Sequence, residues 1–277
     1  FQIVLTTIPE KFDMILSKDH PSYSDLPGVW VLIGGLWVAH FAYWGFNQYI
    51  TQRALGAKSL PEAQKGVMFA AFLKLLMPIV VVLPGICAVV LIPQLDSPDT
   101  AYPAMMGLLP SGLLGLTFAA LIAAIVSSLA SMTNSVSTIF TMDIYKQFLS
   151  EQVDERKLVV VGRNVALISI VVAALCAQPL LGNLESAFQY IQNFTGFFTP
   201  GILVIFLVAL FWKKATSLSV LVAALASLIL SIAMFMFAPD DFPFQHRMGI
   251  VFLVTGFLCY MTALVQGYTD QEKAVDL

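Results

Sequence analysis

The stretch Gly66–Leu95, GVMFAAFLKLLMPIVVVLPGICAVVLIPQL, contains one charged residue, Lys74. About 20 apolar residues in a helix cross the roughly 30 Å hydrocarbon core of a bilayer, so this stretch can form a spanning helix. The whole chain has 277 residues, of which 58% are hydrophobic and 11% charged. A soluble domain has about 25% charged residues. The composition therefore predicts a polytopic α-helical membrane protein and excludes a soluble enzyme or a nucleic-acid-binding protein.

Charged residues divide the chain into uncharged segments, each long enough for a helix. We predict seven spanning helices, over residues 28–51, 66–94, 112–141, 164–182, 186–212, 215–237 and 248–268. The three cysteines lie within apolar runs, which favours small hydrophobic residues over a disulfide framework or a metal site: Cys87, Cys176 and Cys259.

The basic residues predict the orientation of these helices. If the segment before the first helix is outside, ten of the 14 Lys and Arg residues are inside: Arg53, Lys58, Lys65, Lys146, Arg156, Lys157, Arg163, Lys213, Lys214 and Lys273. Three are outside, Lys11, Lys18 and Arg247, and Lys74 is in the membrane. This distribution agrees with the positive-inside rule and predicts a cytoplasmic C-terminus. An outside N-terminus without a signal peptide leads us to expect the C-terminal part of a longer protein.

Lys74 and a polar stripe in the first helix are candidate binding groups. A buried intramembrane lysine either snorkels or caps a neighbouring helix, or it faces a water-filled pathway, and the last reading is favoured. His40, Tyr43, Trp44 and Asn47 stand at i, i+3, i+4 and i+7, which predicts one helical face. Aromatic rings with polar edges suit a sugar site. The alternative is a helix-packing interface, and the intramembrane histidine favours the binding site.

Small hydroxyl residues and a helix break follow further along the chain. Ala124, Ser127 and Ser128 are at i, i+3 and i+4, a pattern that favours close helix packing and leaves ligation of a small hard cation as the alternative. Pro200 lies between glycines in the fifth predicted helix, which predicts a hinge or a broken helix. Interrupted helices of this kind are typical of secondary transporters. We found no nucleophile–base pair or cofactor motif, which predicts that the protein is not an enzyme.

Longer motifs run in one order over nearly the whole chain: Trp44–Arg53 (WGFNQYITQR), Ala57-Lys58-Ser59, Glu62–Gly66 (EAQKG), Phe72-Leu-Lys74, Leu83-Pro-Gly85, Ala101-Tyr-Pro103, Ile125–Asn134 (IVSSLASMTN), Thr141–Lys146 (TMDIYK), Phe188–Gln192 (FQYIQ) and Phe211–Lys214 (FWKK). In these motifs the chain resembles the sodium/glucose cotransporter branch of the solute:sodium symporter family, in particular its bacterial galactose-transporting members. The resemblance implies an all-α, leucine-transporter-type fold of two inverted five-helix repeats. This chain would be the C-terminal part of that transport domain: the second repeat and two further transmembrane helices, with the N-terminal repeat of the same protein absent.

The resemblance also implies roles for individual residues. Tyr43 matches the aromatic gate over the sugar, with Trp44 beside it, and Lys74 and Gln192 match groups that hydrogen-bond sugar hydroxyls. His40 stands where the galactose-transporting members have asparagine. For the co-transported Na⁺, the resemblance replaces the packing interpretation with ligation by the Ala124 carbonyl and by the hydroxyls of Ser127 and Ser128.

The resemblance implies sodium-coupled symport of a galactose- or glucose-like sugar by alternating access, in the plasma membrane, which is the inner membrane of a bacterium. The expected partners are the sugar, sodium and the lipid bilayer. Two alternatives remain open. One is a symporter of the same family for another solute, such as inositol, sialic acid or an amino acid. The other is a non-transporting sensor or a channel-like relative.

Overall fold

A computed structural model of the chain describes residues 2–20, 22–95, 97–149, 154–181, 187–239 and 242–266. These residues form α-helices joined by short turns, without β-strands within the described ranges. The helices are α1 (Gln2–Thr7), α2 (Trp30–Gly34), α3 (Leu36–Phe41), α4 (Gln48–Leu55), α5 (Leu60–Leu75), α6 (Leu83–Leu91), α7 (Ala101–Gly107), α8 (Ser111–Ile139), α9 (Glu155–Leu181), α10 (Ala187–Gly196), α11 (Thr199–Phe211), α12 (Ser217–Phe237) and α13 (Phe244–Gln266). π-Helical segments follow three of them, at Ala42–Phe46, Pro78–Val82 and Phe140–Leu149.

The described part of the chain contains five helical stretches long and apolar enough to cross a membrane: Leu60–Leu91, Ser111–Phe148, Glu155–Leu180, Ser217–Phe237 and Phe244–Gln266. The pair α10 and α11, bent by 45° at its junction, makes a sixth if it counts as one span. The prediction of an all-α, multi-pass membrane protein is therefore confirmed. The inverted-repeat arrangement stays a prediction.

Two of the predicted helices have different bounds in the structure. The stretch predicted over 66–94 begins at Leu60, because Ser59 is in an extended conformation and Pro61 occupies the first turn of α5. The segment 28–51, predicted as one helix, is divided among α2, α3, the first π-helical segment and α4. A spanning length of continuous α-helix is thus replaced here by a series of short pieces.

The chain folds into two compact units. The first comprises Phe1–Thr7 and Gln48–Ala187, and the second comprises Ile8–Asn47 and Phe188–Leu277. In the first unit, α8 packs along α9 and also contacts α4 and α7. The Ser137 hydroxyl donates to the Gly162 carbonyl oxygen at 2.8 Å. The apolar faces of α5, α8 and α9 are largely exposed, as expected for surfaces that meet lipid.

The second unit is built on α11, α12 and α13, which pack against one another. Two buried clusters fill this core, and Phe252 packs against both. The first cluster is Val38, Ala42 and Leu203, and the second is Val204, Ala223 and Cys259. The side of α3 that carries Val38 is therefore held against α11.

Glycines allow the backbones of α2 and α13 to touch. A Cβ atom on Gly249 would overlap the carbonyl oxygen of Gly34, and one on Gly35 would overlap the carbonyl oxygen of Gln245. The Gln245 amide also donates to the Asp25 carbonyl at 2.8 Å, which fixes the loop before α2. The interruption between α2 and α3 thus lies where only glycine permits the contact.

Candidate functional site

Tyr43 and Trp44 form an aromatic pair on the first π-helical segment. Their ring centroids are 5.2 Å apart with an interplanar angle of 82°, an edge-to-face arrangement. The neighbouring residue Ala42 is buried against Leu203, and this packing leaves Tyr43 and Trp44 exposed by 42% and 45%. An exposed aromatic pair with polar edges has the chemistry that can bind a sugar ring.

The polar stripe predicted for this region is not one continuous α-helical face. His40 is exposed in the last turn of α3, whereas Tyr43 and Trp44 lie in the π-helical segment and Asn47 ends it with an extended backbone (φ −80°, ψ 119°). In a π-helix the backbone bonds join residues i and i+5, so the i, i+3, i+4, i+7 spacing no longer marks one side. The prediction of one continuous helical face is therefore wrong beyond Phe41, because the α-helix is interrupted there.

Gln192 lies half-buried in α10, one turn before the bend into α11. The bend predicted from Pro200 and its glycines is present, with an angle of 45° between the two helices. Hydroxyl groups bond the backbone carbonyls around it. Thr195 donates to the carbonyls of Ile191 (2.9 Å) and Gln192 (3.1 Å), Thr199 donates to that of Thr195 (2.8 Å), and Ser231 donates to that of Phe197 (3.0 Å).

Lys74 is exposed in the last turn of α5. Pro78 lacks a backbone N–H and cannot bond the Lys74 carbonyl four residues earlier, so the α-helix ends and a π-helical segment begins at Pro78. The lysine thus stands next to an interruption. Lys74 belongs to the first unit, while His40, Tyr43, Trp44 and Gln192 belong to the second. A common sugar site for all five stays a prediction.

The sodium-ligand candidates lie on one uninterrupted stretch of α8. Ala124, Ser127 and Ser128 are all exposed. The Ser127 carbonyl accepts a hydrogen bond from the Ser131 hydroxyl at 3.0 Å. A carbonyl oxygen inside a helix keeps a second lone pair, so Ala124 can offer one oxygen beside the two serine hydroxyls. Three oxygens on one helix are an incomplete shell for a hard cation.

Two residues of α4 that the sequence did not single out bond this part of α8. The Gln52 amide donates to the Ser131 carbonyl at 3.2 Å and accepts from the Asn134 amide at 3.1 Å. The Arg53 guanidinium donates to the Ser131 hydroxyl. The available signal was the i, i+3 spacing of Ser131 and Asn134, but it does not identify the partner helix. α4 therefore supports α8 one turn beyond the candidate sodium ligands.

Comparison with known proteins identifies sequences related to this chain. The family model for the sodium:solute symporter family matches residues 4–230. The Sodium/glucose cotransporter of Vibrio parahaemolyticus is 49% identical to this chain over 95% of the chain and 51% of that protein.

Two more distant relatives extend the comparison. The Uncharacterized symporter YidK of Escherichia coli is 32% identical over 81% of this chain and 41% of its own length. The human Sodium/myo-inositol cotransporter 2 is 34% identical over 76% of this chain and 34% of its own length. The chain thus spans about half or less of the length of the curated relatives it matches. With the family model covering most of its residues, the chain belongs to the sodium:solute symporter family.

Proposed function

We propose that this chain is part of a sodium-coupled symporter for a galactose- or glucose-like sugar that works by alternating access. The observation that carries the proposal is the interrupted segment after Gly35, where a π-helical turn exposes the aromatic pair Tyr43 and Trp44. Interrupted helices at membrane depth are where secondary transporters bind their substrates. The 49% identity to a Sodium/glucose cotransporter supports a sugar as the solute.

In this proposal the sugar binds against the ring of Tyr43, with Trp44 beside it. Sugars have apolar C–H faces that cover aromatic rings, and hydroxyls that need donors and acceptors. His40, Lys74 and Gln192 supply an imidazole, an ammonium and an amide for these hydroxyls. Lys74 can act as a donor only, so it pairs with hydroxyl lone pairs.

Sodium binds to the carbonyl oxygen of Ala124 and the hydroxyls of Ser127 and Ser128. Na⁺ is a small hard cation that prefers oxygen ligands, and α8 offers these three on one side. The remaining oxygens of the sodium shell come from a segment other than α8, because three oxygens on one helix are an incomplete shell. The exposure of all three residues supports their availability to such a segment.

Coupling requires that sodium and sugar each bind some conformations better than others. A ligand with equal affinity for every state shifts no equilibrium. Sodium therefore stabilises the outward-open conformation, in which the sugar binds, and both leave from the inward-open one. The basic residues support an orientation with the segment before α2 outside and the C-terminus in the cytoplasm.

A second candidate solute is a cyclic polyol such as myo-inositol, because a human myo-inositol cotransporter is 34% identical to the chain. Such a polyol presents the same ring of hydroxyls to the same donors. The complete protein, reconstituted in liposomes, should accumulate radiolabelled galactose against its gradient only when sodium is higher outside. Competition by glucose, myo-inositol, sialic acid and an amino acid then ranks the solutes. Sodium-independent equilibration, or none at all, would overturn symport in favour of a channel-like or sensor protein.

A further inference from the structure

A cleft in the second unit lies apart from the residues considered above, except for its contact with the bend between α10 and α11. It lies between that bend, α12 and the first turns of α13, and it is an open cleft whose own volume is about 20 Å³. Most of its lining is apolar or aromatic: Gly196, Phe197, Phe235, Phe244, Met248 and Val251. Three polar side chains complete it: Asn193, Ser231 and Arg247. The cleft is thus apolar on most sides with one cationic group.

Arg247 enters this cleft with one donor unused. Its Nε atom is buried and has no hydrogen-bond partner among the residues that the structure describes. The guanidinium carbon is 5.8 Å from the ring centroid of Phe235, a cation–π contact that holds the charge beside the aromatic wall. Within the same described ranges Arg247 forms no ion pair with a carboxylate. A cation with a buried, unbonded N–H group is the complement of an anion.

The position and shape of the cleft narrow the class of anion. Arg247 lies in the first turn of α13, a candidate spanning helix, and so at the level of an interface rather than the bilayer centre. Phe235, 60% exposed, continues the apolar wall towards the outside of the helix bundle. A ligand that lies across the open side of the cleft, against both Arg247 and Phe235, therefore needs an anionic head and an apolar body. Phosphate suits the planar fork of arginine, which can donate two parallel hydrogen bonds.

We propose that this cleft binds a membrane phospholipid, with its phosphate on Arg247 and an acyl chain along Phe235. The Asn193 amide adds a donor for the phosphate. The Ser231 hydroxyl already donates to the Phe197 carbonyl at 3.0 Å, so only its oxygen is available. Basic sites between transmembrane helices bind lipid headgroups in this way.

The test uses the complete protein, purified in a neutral sugar detergent and stripped of lipid. Thermal unfolding is followed during titration with short-chain phosphatidylglycerol, with diacylglycerol of the same acyl length, and with inorganic phosphate. We expect a saturable rise of the unfolding temperature with phosphatidylglycerol only. Arg247→Gln should weaken the apparent affinity for this lipid about tenfold or more, because it removes a charge-assisted bidentate contact.

The matched control is Arg156→Gln, which removes the same charge from an exposed arginine in the first turn of α9. It should keep the affinity of the unsubstituted protein. Equal stabilisation by diacylglycerol would show that the phosphate is not recognised, and equal stabilisation by inorganic phosphate would show a free-anion site. Each result overturns the proposal, as does an Arg247→Gln protein with undiminished lipid affinity. If Arg247→Gln fails to fold, the unsubstituted protein still tests the proposal, because its responses to phosphatidylglycerol, diacylglycerol and inorganic phosphate can be compared directly.

Asp240 and Asp241, just before α13, lie outside the described residues and provide an internal alternative for Arg247. If one of them pairs with the arginine, lipid would compete with it. In that case, binding of phosphatidylglycerol would become detectable only when both residues are replaced, in the double variant Asp240→Asn with Asp241→Asn. If the proposal is correct, the apparent affinities of the double variant and of the unsubstituted protein for phosphatidylglycerol differ by no more than severalfold. Lipid binding that appears only in the double variant would overturn the proposal.

Discussion

Arg53 donates a hydrogen bond to the hydroxyl of Ser131, and that hydroxyl is itself 3.0 Å from the carbonyl oxygen of Ser127. The two residues join α4 to α8 one turn from the candidate sodium ligands. A hydroxyl that receives a bond from an arginine and donates to a backbone carbonyl fixes that carbonyl, because both of its partners are in place. The rotation of α8 about its axis, and with it the direction of the Ser127 and Ser128 side chains, is therefore held by α4.

Ser131→Ala should weaken sodium binding without removing a sodium ligand. Loss of one hydrogen bond of about 1 kcal/mol predicts that the half-saturating sodium concentration of uptake rises about fivefold. The measurement is sugar uptake by liposomes at a series of external sodium concentrations. Ser169→Ala is the control, since its hydroxyl bonds the Ala166 carbonyl at 2.8 Å within α9. An unchanged sodium dependence in Ser131→Ala would show that the Arg53–Ser131 contact does not position the site.

Ser128→Ala tests direct ligation. Removing an oxygen from the shell of a small cation should raise the sodium requirement by about tenfold or more, since bonds to charged groups contribute about 1.5–3 kcal/mol. The same uptake titration measures it, with exposed Ser111 at the start of α8 replaced by alanine as the control. If Ser128→Ala and Ser111→Ala have the same sodium dependence, Ser128 does not bind the ion.

Lys74→Ala should abolish accumulation of the sugar while leaving the protein inserted in the membrane. The reason is the loss of an ammonium donor to sugar hydroxyls, which alanine cannot replace. Uptake per unit of inserted protein is measured beside Lys58→Ala, an exposed lysine in the turn between α4 and α5. Near-normal uptake in Lys74→Ala would remove this residue from the sugar site.

Replacements at Tyr43 separate its ring from its hydroxyl. Tyr43→Phe keeps the ring against the sugar and should retain most of the affinity, whereas Tyr43→Ala should lose about two- to tenfold, the contribution of an aromatic contact beyond burial. The measurement is the sugar affinity of each variant, determined by equilibrium binding at saturating sodium. Phe41→Ala, which removes a neighbouring ring that is 60% exposed, is the control. Similar affinities in Tyr43→Ala and Phe41→Ala would contradict stacking by Tyr43.

Gly249→Ala tests the backbone contact between α2 and α13. The added methyl group would overlap the carbonyl oxygen of Gly34, so we expect the free energy of unfolding to fall by about 1–3 kcal/mol or more. Gly256→Ala, on the same helix with nothing within 4 Å of the added carbon, should be neutral or stabilising. Thermal unfolding in detergent distinguishes them. Equal unfolding temperatures for Gly249→Ala and Gly256→Ala would show that the contact between α2 and α13 does not contribute to stability.

Local composition predicted most of the helices, because a run of apolar residues without charges determines a spanning helix by itself. It failed at 28–51, where Gly34 and Gly35 interrupt the helix in response to a contact with α13, far away in the sequence. The π-helical turn at Tyr43 also has no distinct sequence signal. Pro200 was a better guide, since its missing N–H removes one hydrogen bond of a continuous helix at this position.

The residues of the candidate site could be predicted from the sequence, but the hydrogen bonds that hold their helices in place could not. Lys74 was identified because charge is rare in this chain, and the serines of α8 because of the family motif. The bonds from Gln52 and Arg53 to α8 join residues far apart in the sequence. Spacing along one helix carries no information about such a partner, so only the three-dimensional arrangement shows it.

At the bend between α10 and α11, side-chain hydroxyls donate hydrogen bonds to backbone carbonyl oxygens. Hydroxyls of Thr195, Thr199 and Ser231 occupy carbonyl oxygens around it. These hydrogen bonds add to those of the backbone, such as the one from the Phe198 N–H to the Thr195 carbonyl at 3.1 Å, and they need no water, which is scarce inside a bilayer. The bend therefore persists when the site is dry as well as when it is filled with solvent. A transport cycle that alternately hydrates and dehydrates the pathway can proceed without refolding this joint.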